Sequence, residues 1–235
     1  MLRCYITDRR SLVPGDTLLN AIARHLARRL QSPGGSASGG STSGGGTDDA
    51  GGSSGSASGG STDDGGGSSG GVDWIQIREK DLPARALFDL TQRALALANP
   101  AGVRIMVNTR ADVAIAAGAA GLHLPGRSPQ PKRWRSIAPR GFLIGVSCHD
   151  LESVRAAAAE GAAYVLFGPV FAPLSKTSDL PPRGLLGLEQ AAHAADIPVL
   201  ALGGITAENA RSCMDAGAHG IAAISLFQQA DHAAP

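Results

Sequence analysis

The feature that most constrains the fold of this chain is a regular alternation of short apolar segments with helix-like segments. Each apolar segment ends in small or polar residues, which is typical of parallel strands that carry a site at their C-terminal ends. Strands are predicted at residues 2–7, 74–78, 104–108, 121–124, 142–147, 163–167, 199–203 and 220–224. Helices are predicted at residues 17–30, 83–98, 111–117, 132–137, 151–160, 186–194 and 207–216. Eight strands predict a single α/β domain over residues 1–235, a closed (β/α)8 TIM barrel rather than an open sheet.

Residues 32–71 interrupt the alternation with a low-complexity insert between the first helix and the second strand. The insert is almost only Gly, Ser, Ala, Thr and Asp, and the string at residues 35–42 occurs again at 55–62. Such a segment buries too little apolar surface to offset its ordering entropy, so it is predicted to be disordered. Replication slippage is favoured over an interaction tether as the origin of the repeat. A helix-to-strand connection places the insert on the N-terminal face of the barrel, away from the site.

Composition and charge limit the classes of partner. A net charge of +1 gives no electrostatic reason to expect binding to nucleic acid or to a membrane surface. No apolar run approaches the roughly 20 residues that a membrane span needs, and the chain starts with a predicted strand rather than a signal peptide. The three cysteines have no metal-like spacing, so we expect reduced thiols, no metal site and a cytoplasmic location.

The end of the chain leaves two interpretations open. The eighth helix would have to come from residues 228–235, a short segment that ends in proline. Either the barrel is incompletely covered at this position, or a partner subunit covers it in a homo-oligomer.

Polar and apolar side chains alternate at the end of the second strand. With a period of two, Gln76, Arg78 and Lys80 point to one side, and Ile75 and Ile77 to the other. The apolar side is expected to face the helices, so the polar side faces the barrel mouth. An amide, a guanidinium and an ammonium suit a phosphorylated or carboxylated ligand. The alternative is a solvated strand end with an Arg–Glu pair.

Strands three to five contribute three further candidate positions. Asn108 ends the third strand, where it could contact a ligand or cap the next helix. His123 in the fourth strand is more typical of a packed or rim residue than of a catalyst. His149 follows the fifth strand with the parity of Ser147 and suits a proton shuttle near neutral pH. Spacing alone leaves open the alternative that His149 caps the following helix.

The loops after strands six to eight suggest an anion site. The loop at residues 171–183 contains Lys176, which could close on a phosphate as part of a lid or be a solvated charge. Gly203 and Gly204 end the seventh strand, and Ser225 follows the eighth. Glycine lets backbone N–H groups approach a ligand closely, and these two loops often bind phosphate in such barrels. A simple turn is the alternative explanation of the glycine pair.

Seven motifs together resemble the thiamine phosphate synthase and thiazole tautomerase (TenI-type) superfamily. They are Tyr-Ile-Thr-Asp, Gln-Ile-Arg-Glu-Lys, Val-Asn-Thr-Arg-Ala-Asp-Val-Ala, Gly-Leu-His-Leu-Pro, Gly-Val-Ser-Cys-His, Val-Leu-Phe-Gly-Pro-Val-Phe and Leu-Gly-Gly-Ile-Thr. The resemblance covers nearly the whole chain except the insert and the shortened end. It implies thiamine biosynthesis by one of two activities. A synthase joins a pyrimidine methyl diphosphate to a thiazole phosphate with Mg²⁺, and a tautomerase aromatises carboxythiazole phosphate.

The resemblance also implies roles for individual residues. In a synthase, the pyrimidine-side pocket would be lined by Gln76, Arg78, Lys80 and Asn108, with Ser147, Ser175 and Lys176 nearby. In either branch, the thiazole phosphate would be held by Gly203, Gly204 and Ser225. His149 falls on the position of the catalytic histidine of the tautomerase branch.

Two departures from the synthase pattern favour the tautomerase. The synthase has Asp directly after the strand-three Asn and five residues after the strand-four His, and both serve Mg²⁺. Here these positions hold Thr109 and Ser128. Because Mg²⁺ prefers carboxylate oxygens beside a diphosphate, their loss should weaken diphosphate ionisation. The expected protein is a thiazole tautomerase without a cofactor. There are two alternatives. One is a synthase that binds Mg²⁺ through other ligands, and the other is a non-catalytic sensor of thiazole phosphate.

Overall fold

The structure, a computed structural model, describes residues 1–27, 71–172 and 180–229, which form a closed barrel of eight parallel strands. Each strand is hydrogen-bonded to the next one in the chain, and the last pairs with the first. The predicted fold class is therefore confirmed. Almost all of the predicted insert at residues 32–71 lies outside the described residues, as do Ser175 and Lys176.

The strands are short, and their ends differ only slightly from those predicted. They are β1 (Leu2–Ile6), β2 (Trp74–Ile77), β3 (Arg104–Asn108), β4 (Gly121–Leu124), β5 (Leu143–Cys148), β6 (Tyr164–Phe167), β7 (Val199–Leu202) and β8 (Gly220–Ala223). The helices are α1 (Leu18–Ala27), α2 (Ala84–Leu95), α3 (Ala111–Ala117), α4 (Pro131–Arg135), α5 (Leu151–Ala159), α6 (Gly184–Ala192), α7 (Ala210–Asp215) and α8 (Ser225–Gln229). A short 3-10 turn at Arg9–Ser11 follows β1 and was not predicted.

The last helix begins earlier than predicted. It starts at Ser225, one residue after the end of β8, whereas the sequence assigned it to residues 228–235. The last strand is one residue shorter than the predicted 220–224, and Ile224 connects it to the helix. Residues 230–235 lie outside the described part of the chain. Within the described ranges, no helix is long and apolar enough to cross a bilayer.

Apolar side chains fill two separate layers, as period-two alternation requires. Ile75 and Ile77 of β2 are fully buried in the layer between barrel and helices, whereas Trp74 and Gln76 face the barrel interior. The predicted orientation of β2 is therefore correct. The interior cluster consists of Cys4, Ile6, Trp74, Met106, Tyr164, Leu166, Leu200 and Ala222.

One glycine makes room for the ring of Tyr164 in the barrel interior. A Cβ atom on Gly145 of β5 would lie 2.1 Å from the ring of Tyr164 on β6. Glycine is needed here because the Tyr164 ring occupies that space, where it also packs against Trp74 at a centroid distance of 4.7 Å. Trp74 and Tyr164 are the first residues of their strands, so their rings fill the N-terminal part of the barrel interior.

Candidate active site

Two amide side chains lie together where β2 and β3 end. Gln76 is 1% exposed, and its Nε2 atom donates a 3.0 Å hydrogen bond to Oδ1 of Asn108. Asn108 in turn donates from Nδ2 to Oγ1 of Thr109 at 2.7 Å. Among the described residues, the buried Oε1 atom of Gln76 has no hydrogen-bond partner. An unpaired buried acceptor is costly, so this oxygen is available to a ligand that carries a donor.

Asn108 does not cap the helix that follows it. The N-cap residue of α3 is Arg110, and no side chain makes a cap hydrogen bond there. The capping alternative is therefore wrong, because the Asn108 side chain is committed to Gln76 and Thr109.

A buried carboxylate fixes the end of β2, and no pattern in the sequence singled it out. Glu79 is 4% exposed and accepts hydrogen bonds from Oγ1 of Thr7 at 2.7 Å and from Nη1 of Arg9 at 3.1 Å. Thr7 also accepts from the backbone N of Arg78 at 3.0 Å. The alternative of a solvated Arg–Glu pair is wrong in two respects, since the carboxylate is buried and its partner is Arg9. This contact ties β1 to β2 and fixes the backbone that carries Arg78 and Lys80.

A pocket of about 360 Å³ opens beside these residues at the mouth of the barrel. Its basic side chains are those of Lys80, which is exposed, and Arg110, which is paired with Asp112. Its one carboxylate is that of Glu79, which Arg9 already binds. The pocket is lined by Glu79, Lys80, Leu82, Leu87, Asn108, Thr109, Arg110 and Pro125.

His123 belongs to a hydrogen-bonded group inside the barrel. Its Nε2 atom lies 2.8 Å from Oγ of Ser147, and its Nδ1 atom lies 3.2 Å from the hydroxyl of Tyr164. Burial, with a smaller contribution from the positive charge of Arg78, lowers the pKa of His123 to about 3. His123 is therefore a packed neutral imidazole, as its type and position suggested. It holds the hydroxyl of Ser147, the β5 residue that was predicted to face the ligand.

His149 stands at the end of β5 with one ring nitrogen fixed. Its Nδ1 atom is hydrogen-bonded to the backbone oxygen of Gly168, directly after β6. Because a carbonyl oxygen only accepts, Nδ1 carries the proton, and Nε2 of the neutral ring is left as a base. On its other side lies the loop after β4, since a Cβ on Gly126 would be 3.9 Å from Cδ2 of His149.

His149 is not the cap of α5. Asp150 caps this helix, because its carboxylate accepts from the backbone N of Ser153 at 2.8 Å and Ser153 completes a capping box. The capping alternative for His149 is therefore wrong. Because Ser153 stands where such a box usually has Glu or Gln, the sequence contained no clear signal for it.

The predicted phosphate loops meet the loop after β6. Gly203 and Gly204 have φ angles of +97° and +63°, which favour glycine. A Cβ on Gly204 would lie 2.4 Å from the backbone oxygen of Ala172. Packing alone therefore demands glycine at this position, and the phosphate role of the pair stays a prediction. Ser225 is the first residue of α8, and its role is likewise a prediction.

The described residues thus gather most of the predicted site at one end of the barrel. These residues lie at the C-terminal ends of their strands: Gln76 and Asn108, His123 and Ser147, His149, and the glycine pair Gly203 and Gly204. Sequence reasoning missed Glu79 and also Arg183, which lies at the base of the loop after β6. Fold and site together define a (β/α)8-barrel protein with a polar mouth suited to a small anionic molecule.

Comparison with known proteins identifies the family. The family model for thiamine monophosphate synthase matches residues 67–227, and the chain belongs to this family. A thiamine-phosphate synthase of Roseiflexus castenholzii is 44% identical over 155 residues, which are 66% of this chain and 68% of that protein. One of Methanoculleus marisnigri is 44% identical over 155 residues, which cover 66% of this chain and 74% of that protein.

A solved structure extends the similarity to nearly the whole chain. The thiamine phosphate pyrophosphorylase from Pyrococcus furiosus has a TM-score of 0.69 and 27% sequence identity, and the match covers 97% of this chain and 91% of that one. The expected superfamily and its place in thiamine biosynthesis are therefore confirmed. The names of these relatives agree better with the synthase alternative than with the tautomerase.

Proposed function

We propose that this family member is a thiazole tautomerase, which aromatises carboxythiazole phosphate. The observation that carries this proposal is the hydrogen bond between Nδ1 of His149 and the backbone oxygen of Gly168. It leaves the neutral ring with an unprotonated Nε2 atom at the mouth of the barrel. A histidine fixed in one tautomer is what a general base requires.

The reaction needs one base that also returns the proton. Nε2 of His149 removes the proton from the ring carbon that carries the carboxylate. The electron pair of that bond passes into the ring, and the exocyclic double bond takes up the proton from His149 at its outer carbon. The ring becomes aromatic, no electrons are gained or lost, and His149 regains its starting state. Proton transfer of this kind contributes roughly 10²- to 10⁴-fold to a rate.

The donor set beside Asn108 does not fit the Mg²⁺ that a synthase would use. Thr109 and Ser128 stand where the synthase pattern has carboxylates, and Mg²⁺ is bound mainly through carboxylates and substrate phosphates. The lining carboxylate of Glu79 is already engaged by Thr7 and Arg9. Across the described ranges, no group of three His, Cys, Asp or Glu residues is placed to hold a metal ion.

Thiamine phosphate synthase is the second candidate, and two observations favour it. The relatives that match most of the barrel carry that name. The amide pair of Gln76 and Asn108 also leaves a buried acceptor, which suits the amino group of an aminopyrimidine. In this case Mg²⁺ would have to be held mainly by the substrate diphosphate.

One experiment distinguishes these functions. The non-aromatic carboxythiazole phosphate tautomer is mixed with the purified full chain without Mg²⁺, and aromatisation is followed by NMR. Conversion much faster than the spontaneous rate supports the tautomerase. Conversion at the spontaneous rate overturns it, and the same sample is then given Mg²⁺, thiazole phosphate and pyrimidine methyl diphosphate. Formation of thiamine phosphate supports the synthase, and tight thiazole phosphate binding without any turnover supports a non-catalytic sensor.

A further inference from the structure

Arg183 lies beside the catalytic candidate, at the base of the loop that follows β6. Its backbone N donates to the carbonyl oxygen of Pro169 at 2.8 Å, and the next N–H, that of Gly184, donates to Val170 at 3.0 Å. Gly168, whose oxygen holds Nδ1 of His149, directly precedes Pro169. The carbonyl oxygens of Gly168 and Pro169, which are consecutive in the chain, therefore hold the ring of His149 and the backbone of Arg183.

The guanidinium of Arg183 lies close enough to Asp150, the residue after His149, to act on its carboxylate. The pKa of Asp150 is lowered by hydrogen bonds from Ser153 and, to a smaller extent, by the positive charge of Arg183. Arg183 and His149, the residue before Asp150, therefore lie near the same carboxylate. The Asp150 carboxylate accepts from the backbone N of Ser153 as the cap of α5.

The Nε atom of Arg183 is a buried donor without a partner in the part of the chain that the structure describes. A buried N–H of a charged group that lacks an acceptor costs free energy. Such a cost is recovered when a ligand supplies the acceptor, and a planar carboxylate matches the fork of a guanidinium. No pattern in the sequence had assigned Arg183 a role.

We propose that Arg183 binds the carboxylate of the thiazole phosphate substrate, next to the carbon that His149 deprotonates. This inference rests on the proposed tautomerase function. Removal of that proton places additional negative charge on the ring carbon and its carboxylate. A guanidinium at this position stabilises the developing charge as well as the bound ground state. Arg183 would then distinguish carboxylated from decarboxylated thiazole phosphates.

The test compares two ligands by calorimetry on the full chain. The probes are the aromatic carboxythiazole phosphate and the same thiazole phosphate without the carboxylate. Arg183→Gln is expected to weaken binding of the carboxylated probe by about 10- to 100-fold, the range for a charge-assisted hydrogen bond, and to leave the other probe unchanged. Arg183→Lys should recover part of the affinity because it keeps the charge but loses the fork. The matched control is Arg211→Gln, which removes an exposed arginine paired with Asp215 on α7.

The outcomes separate this inference from the proposed function. If Arg183→Gln lowers the affinity for the carboxylated probe alone, the proposed role of Arg183 is supported, even if the wild-type chain does not aromatise the substrate. If Arg183→Gln lowers the affinity for both probes equally, the arginine is purely structural and the inference is overturned. No change for either probe would also overturn it, even if aromatisation by the wild-type chain is rapid. Failure of the wild-type chain to bind either probe would overturn both proposals.

Discussion

His149 and Gly168 are hydrogen-bonded across the ends of two neighbouring strands, from the ring Nδ1 atom to a backbone oxygen. Since β5 and β6 are paired in parallel, with Cys148 opposite Phe167, the residues that follow them meet at the same edge of the barrel. A backbone acceptor cannot ionise or rotate away, so the tautomer of His149 does not depend on another titrating side chain. In the proposed mechanism, Nε2 therefore faces a substrate that is anchored elsewhere in the mouth.

We expect His149→Ala to lower kcat for aromatisation by about 10²- to 10⁴-fold, because the base that moves the proton is lost. Affinity for the aromatic carboxythiazole phosphate should change little, since the phosphate anchor is predicted on other strands. Single-turnover NMR gives the rate, and calorimetry gives the affinity. A wild-type kcat in this variant would remove His149 from the mechanism.

We expect Gly204→Ala to destabilise the fold and to weaken binding of thiazole phosphate. Alanine at φ +63° is strained, and its Cβ would lie 2.4 Å from the backbone oxygen of Ala172, so the loop after β6 must move. The cost should be about 2–4 kcal/mol from strain and overpacking together. Gly118→Ala is the matched control, because Gly118 has φ +77° but nothing within 4 Å of an added Cβ.

The Gly204 and Gly118 variants are compared by urea denaturation and by phosphate-ligand calorimetry. Gly118→Ala should cost only the strain of the backbone, about 1–2 kcal/mol, and should leave ligand affinity unchanged. Equal destabilisation in the two variants would argue against the close packing of the β6 and β7 loops. Retained ligand affinity in a folded Gly204→Ala protein would contradict the predicted phosphate site.

The stability of the fold should depend on the protonation of His123 below neutral pH. Burial lowers its pKa from the ordinary 6.5 to about 3, so between these values the unfolded chain binds a proton that the folded chain does not. The free energy of unfolding therefore falls as pH decreases from 6.5 toward 3, by up to about 1.4 kcal/mol per pH unit from this group. The contribution is constant well above pH 6.5, where the His123 ring is neutral in both the folded and the unfolded chain.

His123→Gln should reduce this pH dependence while lowering stability near pH 7, because it breaks the contacts with Ser147 and Tyr164. The measurement is the slope of unfolding free energy against pH, from urea denaturation between about pH 5 and pH 6.5. His193→Gln serves as the control, since it removes an exposed imidazole on the end of α6. An unchanged slope in His123→Gln would show that another group causes the acid sensitivity.

Most of the fold can be predicted from the sequence, because the alternation of strands and helices and the apolar periodicity within them are local properties. Ile75 and Gln76 face opposite sides as a period of two requires, and the resulting strands close into the predicted barrel. The contacts that complete the site are not local. Glu79 meets Arg9 across 70 residues, and the backbone of Arg183 returns to contact Pro169. Neither contact leaves a periodic trace in the sequence.

Helix starts and caps were the less predictable part of the site. The histidine at the end of β5 and the aspartate that follows it are both plausible caps by residue type, and only the contact with Ser153 assigns the cap to Asp150. Similarly, the Asn108 side chain could cap a helix or contact a neighbouring strand, and in the structure its Oδ1 atom accepts a hydrogen bond from Gln76. Such choices depend on which donors the fold brings within about 3 Å, which spacing alone does not specify.

We expect deletion of residues 34–69 to leave kcat unchanged. The described chain enters this region after Ala27, the last residue of α1, and returns to β2 at Trp74, and helix-to-strand connections lie on the face opposite the barrel mouth. The deletion shortens the connection from about 46 residues to about 10, which lowers the entropy cost of closing it by about 1.3 kcal/mol. Activity by NMR and stability by urea denaturation are measured on the deleted and full chains together. A large loss of kcat in a deleted chain of undiminished stability would place part of the insert at the mouth and contradict the assignment of this segment to the N-terminal face.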